Sequence, residues 1–253
     1  MNRWRRVFGR LAIAAAAALS ATLGGAGTQA GELTNAEILR NFDVIAFQNE
    51  MRKIENPRVT KWIRPIRAFK QYDVTIEPQV EDFLDRHMQR LAEVTELDID
   101  YVNDAGAANF LIVFTRRADY MATALKHLKP GTRGISRGIA HRLRRTNCLG
   151  VIAVAPSNGE IERAVVVIPV DHARARGILT RCIVEETTQS LGLPNDSDDA
   201  NPSVFNDSSK LKDLSAHDLL LLRLLYHRDL EVGTPRRAAL LTAARLLPLL
   251  RSE

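Results

Sequence analysis

The segment Glu185-Glu186-Thr187-Thr188-Gln189-Ser190-Leu191-Gly192-Leu193-Pro194-Asn195-Asp196 constrains this chain more than any other stretch. Apolar spacing predicts a helix from about Arg174 to Leu191, and Gly192 is placed as its C-cap. Glu185 and Gln189 stand four residues apart, so they share one helical face, with Glu186 beside them. The turn at Gly192 brings Asn195 and Asp196 back toward the same end. Whatever fold this chain adopts must hold a short set of acids and amides around one helix terminus.

The first thirty residues stand apart from that fold. Arg3, Arg5, Arg6 and Arg10 form a basic start, and Leu11 to Leu19 are unbroken apolar residues. Small residues follow, ending in Thr28-Gln29-Ala30, which suits a signal peptidase. The run is short for a membrane span of roughly 20 residues. The segment reads as a cleaved export signal, with an uncleaved N-terminal anchor as the alternative. It holds no cysteine, which closes the lipid-anchored route. An exported protein of bacterial type, periplasmic or secreted, is the expectation, with no transmembrane segment after cleavage.

The leader also accounts for most of the charge. The whole chain has 35 Lys+Arg against 30 Asp+Glu, a formal charge of +5. Without the four leader arginines the balance is +1, so nucleic acid is not an expected partner. Hydrophobic residues at 45% and charged residues at 26% describe a globular chain and exclude a disordered or multispanning one. At 253 residues there is room for a real core.

Export changes the meaning of Cys148 and Cys182, the only two cysteines. An oxidising compartment permits them to join, which would fasten the motif helix to the strand that follows Cys148. Two buried free thiols are the alternative.

Along the rest of the chain, Gly31 to Pro57 holds an amphipathic helix, started by a Thr34/Glu37 capping box. An extended stretch runs from Lys61 to Ile76, with Pro65 suited to an edge strand. Pro78 opens a helix through Val94. Strands are expected at Ile99–Val102 and Phe110–Phe114, then a helix over Ala118 to Leu128. Val151–Ala155 and Ala164–Val170 read as a hairpin turning at Ser157-Asn158-Gly159. Ser215 with Asp218 caps a helix reaching His227, and Pro235 starts a last one through about Leu247. No internal repeat is present.

A zinc-peptidase helix carries ligands at i and i+4 with a general-base Glu at i+1. Metzincins add a glycine three residues on and a third ligand three beyond that. In this frame Glu185, Gln189 and Asn195 stand in the ligand positions, Glu186 in the base position and Gly192 at the turn. Asp196 adjoins the third position. Ser203-Val204-Phe205 resembles the small-x-Met turn beneath such a metal, with Phe205 in place of methionine. Every histidine of the pattern is absent.

Trp62 with Pro65-Ile66-Arg67, the Cys182-to-Gly192 helix, Asn195-Asp196, Phe205-Asn206-Asp207 and Leu224-Leu225-Tyr226 resemble an exported proteobacterial family, domain of unknown function 2927. The resemblance covers roughly residues 60–235. It implies a zincin-like fold and brings no activity. Family members are similar to one another in Glu-Glu-x-x-Gln, so the missing histidines look like a family trait.

The expected architecture is therefore an α+β, zincin-like single domain of metzincin type, a small mixed sheet packed on helices around the motif helix. Residues 1–30 are the signal, 31–60 a helical extension, 61–234 the zincin-like domain and 235–253 a C-terminal helix. Glu, Gln and Asn offer only oxygen, whereas catalytic zinc favours imidazole or thiolate. No cofactor is expected. Calcium, and after it zinc, are the divalent alternatives, with Asp198 and Asp199 as further carboxylates. The function expected is a non-catalytic domain binding a peptide or envelope partner. The alternative is a hydrolase using Glu186 as base.

Two other patterns carry less. Gly134-Ile135-Ser136-Arg137-Gly138 matches a nucleophile elbow, but no strand precedes it. The basic stretch Lys126 to Arg145 reads as a solvated surface or a contact for anionic material.

Overall fold

The computed structural model describes residues 33–48, 57–127, 143 and 145–252. The leader, the Gly134–Gly138 motif and most of the basic stretch lie outside the described residues. Those described belong to one compact unit that begins at Leu33. No described helix is long and apolar enough to cross a membrane.

Five strands, β1 (Ile66–Tyr72), β2 (Ile99–Tyr101), β3 (Phe110–Thr115), β4 (Leu149–Val154) and β5 (Ile161–Pro169), form one sheet. Their spatial order is β2-β1-β3-β5-β4. The first four in that order run parallel, and β4 runs antiparallel to β5 at the far edge. The α+β class with a mixed sheet is thus confirmed.

Phe110–Thr115 is buried at every position, as a central parallel strand covered on both faces must be. Phe110, Ile112 and Phe114 face the larger core. Leu111 and Val113 face a smaller one with Tyr120 and Ala124 of α3 (Arg117–His127). The larger core is built with α1 (Asn35–Phe47), α2 (Pro78–Thr95), α4 (Val170–Ala175), α5 (Leu179–Gln189), α6 (Ala216–Tyr226) and α7 (Arg236–Leu250).

The capping boxes at Thr34/Glu37 and Ser215/Asp218 form as their sequences dictate. Two elements differ from expectation. The single helix over Arg174–Leu191 is two, α4 and α5, because Gly177 takes a left-handed φ of 68° and ends α4. The other is β1, an interior strand with partners on both sides. Pro65 precedes the strand, so its missing N–H removes no ladder bond.

Candidate functional site

Helix α5 lies between α2 and the β4–β5 edge of the sheet, which makes it nearly all buried. Its contact with β4 is unusually close. A side chain at Gly150 would bring Cβ within 2.9 Å of the Glu186 carbonyl and of Glu186 Oε2. Glycine at that place in β4 is what lets the Glu186 carboxylate rest against strand backbone. One turn earlier on α5, Cys182 is bonded to Cys148, which precedes β4, with their Cα atoms 5.9 Å apart. The disulfide therefore anchors the helix to the same strand.

The end of α5 is held from the opposite side. Gly192 has φ of 110°, and a Cβ there would stand 2.1 Å from the Thr60 carbonyl. No other residue type fits that approach. Trp62 Nε1 donates to the Ser190 carbonyl at 2.9 Å, and the Tyr226 hydroxyl donates to the Leu191 carbonyl at 2.8 Å. Burial pushes the Tyr226 phenol well above its ordinary pKa. Next to Trp62, Lys61 Nζ donates to the carbonyls of Leu225 and Leu230 at 3.1 and 2.6 Å, finishing α6. Burial lowers the Lys61 pKa to about 8.

A cleft of about 190 Å³ opens between α5 and the start of β4. Glu185, Glu186, Gln189 and Asp196 all line it, together with the disulfide, Arg181 and Asp207. Asn195 does not. Its N–H donates to the Ile45 carbonyl of α1, and its side-chain amide donates to the Asp196 carbonyl at 2.8 Å. Asp198 and Asp199 are exposed and lie outside the lining.

Two residues without an assigned role complete the site. The Arg181 guanidinium donates from Nε to Glu185 Oε2 at 3.1 Å. It also donates from Nη2 to Asp207 Oδ1 at 3.3 Å, and from Nη1 to the carbonyls of Asp207 and Ser209. Arg181 precedes Glu185 by four residues on one helix, a spacing that signals the pair. Asp207 belongs to the Phe205-Asn206-Asp207 motif, which marked the position without its purpose. Gln189 Nε2 donates to Asp196 Oδ1 at 2.7 Å.

The turn at Ser203–Phe205 is fully buried and organised by Asp218. Asp218 accepts from Ser203 Oγ at 2.5 Å and from the Val204 N–H at 3.2 Å. The Phe205 carbonyl accepts from Ser197 N–H at 2.8 Å, which ties this turn to the loop bearing Asp196.

One carboxylate oxygen from each of Glu185, Asp196 and Asp207 lies within 4.8 Å of the others. Such an all-oxygen set suits a hard cation such as calcium and offers zinc neither imidazole nor thiolate. Cys182 is committed to its disulfide, and none of the described histidines lines the cleft. All three carboxyl groups already have protein partners, since Glu185 and Asp207 share the Arg181 guanidinium and Asp196 receives the Gln189 amide. Glu186 is buried on the same wall of the cleft, its carboxylate close against Gly150.

No curated protein matches this chain. A family model, described as protein of unknown function (DUF2927), matches residues 35–241, extending beyond the 60–235 of the sequence motifs. By that match the chain belongs to the DUF2927 family.

Proposed function

We propose that this protein is an exported zincin-like domain that binds a peptide or an envelope partner in the cleft between α5 and β4, without cleaving it. The zincin frame is supported by the order of parts. A buried helix carries Glu185, Glu186 and Gln189, it ends at Gln189 just before the turn at Gly192, and a buried Ser203–Phe205 turn meets the loop that follows. The observation that carries the non-catalytic reading is the Arg181 guanidinium shared by Glu185 and Asp207. A fixed positive charge from the protein stands at the acid group where a metal would otherwise supply it. None of the described histidines lines the cleft to hold zinc and generate a hydroxide at neutral pH.

Among the described residues β4 pairs only with β5, and its other edge is where an extended peptide would add. Cleft residues would then select side chains. Elemental analysis and a digestion assay test this reading. Purified protein should carry far less than one zinc per chain and leave unfolded protein substrates intact, and Glu186→Gln should change no hydrolytic rate.

The convergence of Glu185, Asp196 and Asp207 favours one other reading, a hydrolase with an oxygen-ligated cation and Glu186 as base. Stoichiometric metal, with proteolysis abolished by a chelator and by Glu186→Gln, would establish that alternative and defeat the first.

A further inference from the structure

Helix α7 buries Ala239, Ala243, Leu246 and Leu247 against α1 and α6. Its opposite side is also apolar. Leu241 is 68% exposed and Leu249 59%, more than any other large hydrophobic among the described residues. Ala238, Ala244 and Pro248 are exposed as well. At 3.6 residues per turn these five side chains fall within an arc of about 140°. A helix whose second apolar face meets solvent is built for contact with something besides its own core.

Charge says what that something is. Residues 232–252 contain four arginines, at 236, 237, 245 and 251, and no acid. Arg236 is paired with Asp43 at 2.6 Å on the flank, and Arg245 meets Asp229 at 2.9 Å. Arg237 and Arg245 fall inside the exposed arc, and both side chains are exposed. A second copy docking here about a two-fold axis would oppose these arginines to their own counterparts. An anionic surface meets no such repulsion.

Arg251, just past α7, donates to the Leu33 carbonyl at 2.9 Å and to Asn35 Oδ1 at 2.7 Å. The start of the described chain is thus fastened to the end of α7 near Leu249.

We propose that the outer face of α7 docks on the surface of an anionic bilayer. Leu241 and Leu249 enter the boundary between headgroups and acyl chains, and Arg237 and Arg245 lie over lipid phosphates. The helix rests on the membrane and does not span it. This inference is independent of the cleft and of what the cleft binds.

Co-sedimentation with vesicles tests it, using residues 33–253, which contain every described core residue and the disulfide. Protein should sediment with vesicles of equal phosphatidylglycerol and phosphatidylcholine, and about tenfold more weakly with phosphatidylcholine alone. Leu241→Asp with Leu249→Asp should weaken binding to the mixed vesicles about tenfold while leaving the thermal melt unchanged. Ile63→Asp, at another exposed apolar position, should bind as the parent does. Arg237→Glu, a surface change that the fold accommodates, should weaken binding even if the double variant fails to fold. Parent protein that stays in the supernatant, or an Ile63→Asp loss equal to that of the double variant, overturns the proposal. So does a parent dimer that the α7 substitutions dissociate, since the face would then be an interface between copies.

Discussion

Acid should destabilise this protein most sharply through a buried imidazole behind the motif helix. His87 of α2 is buried against α5, and its Nε2 lies 3.3 Å from Thr188 Oγ1. The Thr188 hydroxyl donates to the Val184 carbonyl at 2.6 Å, so it can only accept from His87, which puts the ring proton on Nε2. Nδ1 is then a buried acceptor without a partner among the described residues. Protonation would place a cation in a buried site, and burial lowers the His87 pKa to about 4 against the opposing pull of Asp213 and of a backbone hydrogen bond with Val184. In the unfolded chain the same ring charges near its ordinary 6.5. Between those two values the unfolded state binds the proton and the folded state does not, so stability present above pH 6.5 is lost as pH falls toward 4. At 1.36 kcal/mol per pH unit, the loss from pH 7.5 to 4.5 is about 2.5 kcal/mol. Urea denaturation at both pH values would measure it in the parent and in His87→Leu, which fills the site and cannot titrate. The variant should lose about 2.5 kcal/mol less on acidification than the parent. Equal losses in the two proteins would refute the assignment and place the acid sensitivity elsewhere.

Other substitutions test the framework of the cleft. Gly192→Ala sets Cβ 2.1 Å from the Thr60 carbonyl and should cost more than about 4 kcal/mol, read as loss of a cooperative thermal melt. Asp218→Ala strips the buried acceptor of Ser203 Oγ, Val204 N–H and the Ser215 cap, at about 3 kcal/mol by urea denaturation. Arg181→Leu leaves Glu185 and Asp207 facing without their shared guanidinium. It should lower stability by about 1–2 kcal/mol, with excess calcium restoring part of the loss in a thermal-shift assay. A variant indifferent to calcium would show that the carboxylates rearrange instead of holding an ion.

Features fixed by neighbours in sequence were readable from it. The capping boxes at Thr34 and Ser215, the hairpin through Gly159 and the left-handed turn at Gly192 each depend on residues within a few positions. The helix itself ends at Gln189, before the Leu191 expected, with Ser190 as its C-cap. The helical face shared by Glu185 and Gln189 is likewise a matter of spacing, and both side chains do line the cleft. The remainder depended on chain segments that meet only in the fold. Asp207 reaches Arg181 across 26 residues, and its approach is set by how the loop after α5 returns. Asn195 was placed by spacing as a cleft residue, yet its backbone is held by a carbonyl of α1, its side chain bonds the Asp196 carbonyl, and it does not line the cleft. The interior place of β1 was hidden because strand order is a long-range property and Pro65 suggested an edge.

The Cys148–Cys182 bond makes a covalent ring of the chain between its ends, and that ring holds β4, β5, α4 and the first part of α5. A protease that nicks the backbone anywhere inside it produces no separate pieces. The cut protein would migrate at full length on a non-reducing gel and fall into two fragments only after thiol treatment. The strand and helix that frame the cleft would remain tethered to each other through sulfur, even with the peptide chain between them open.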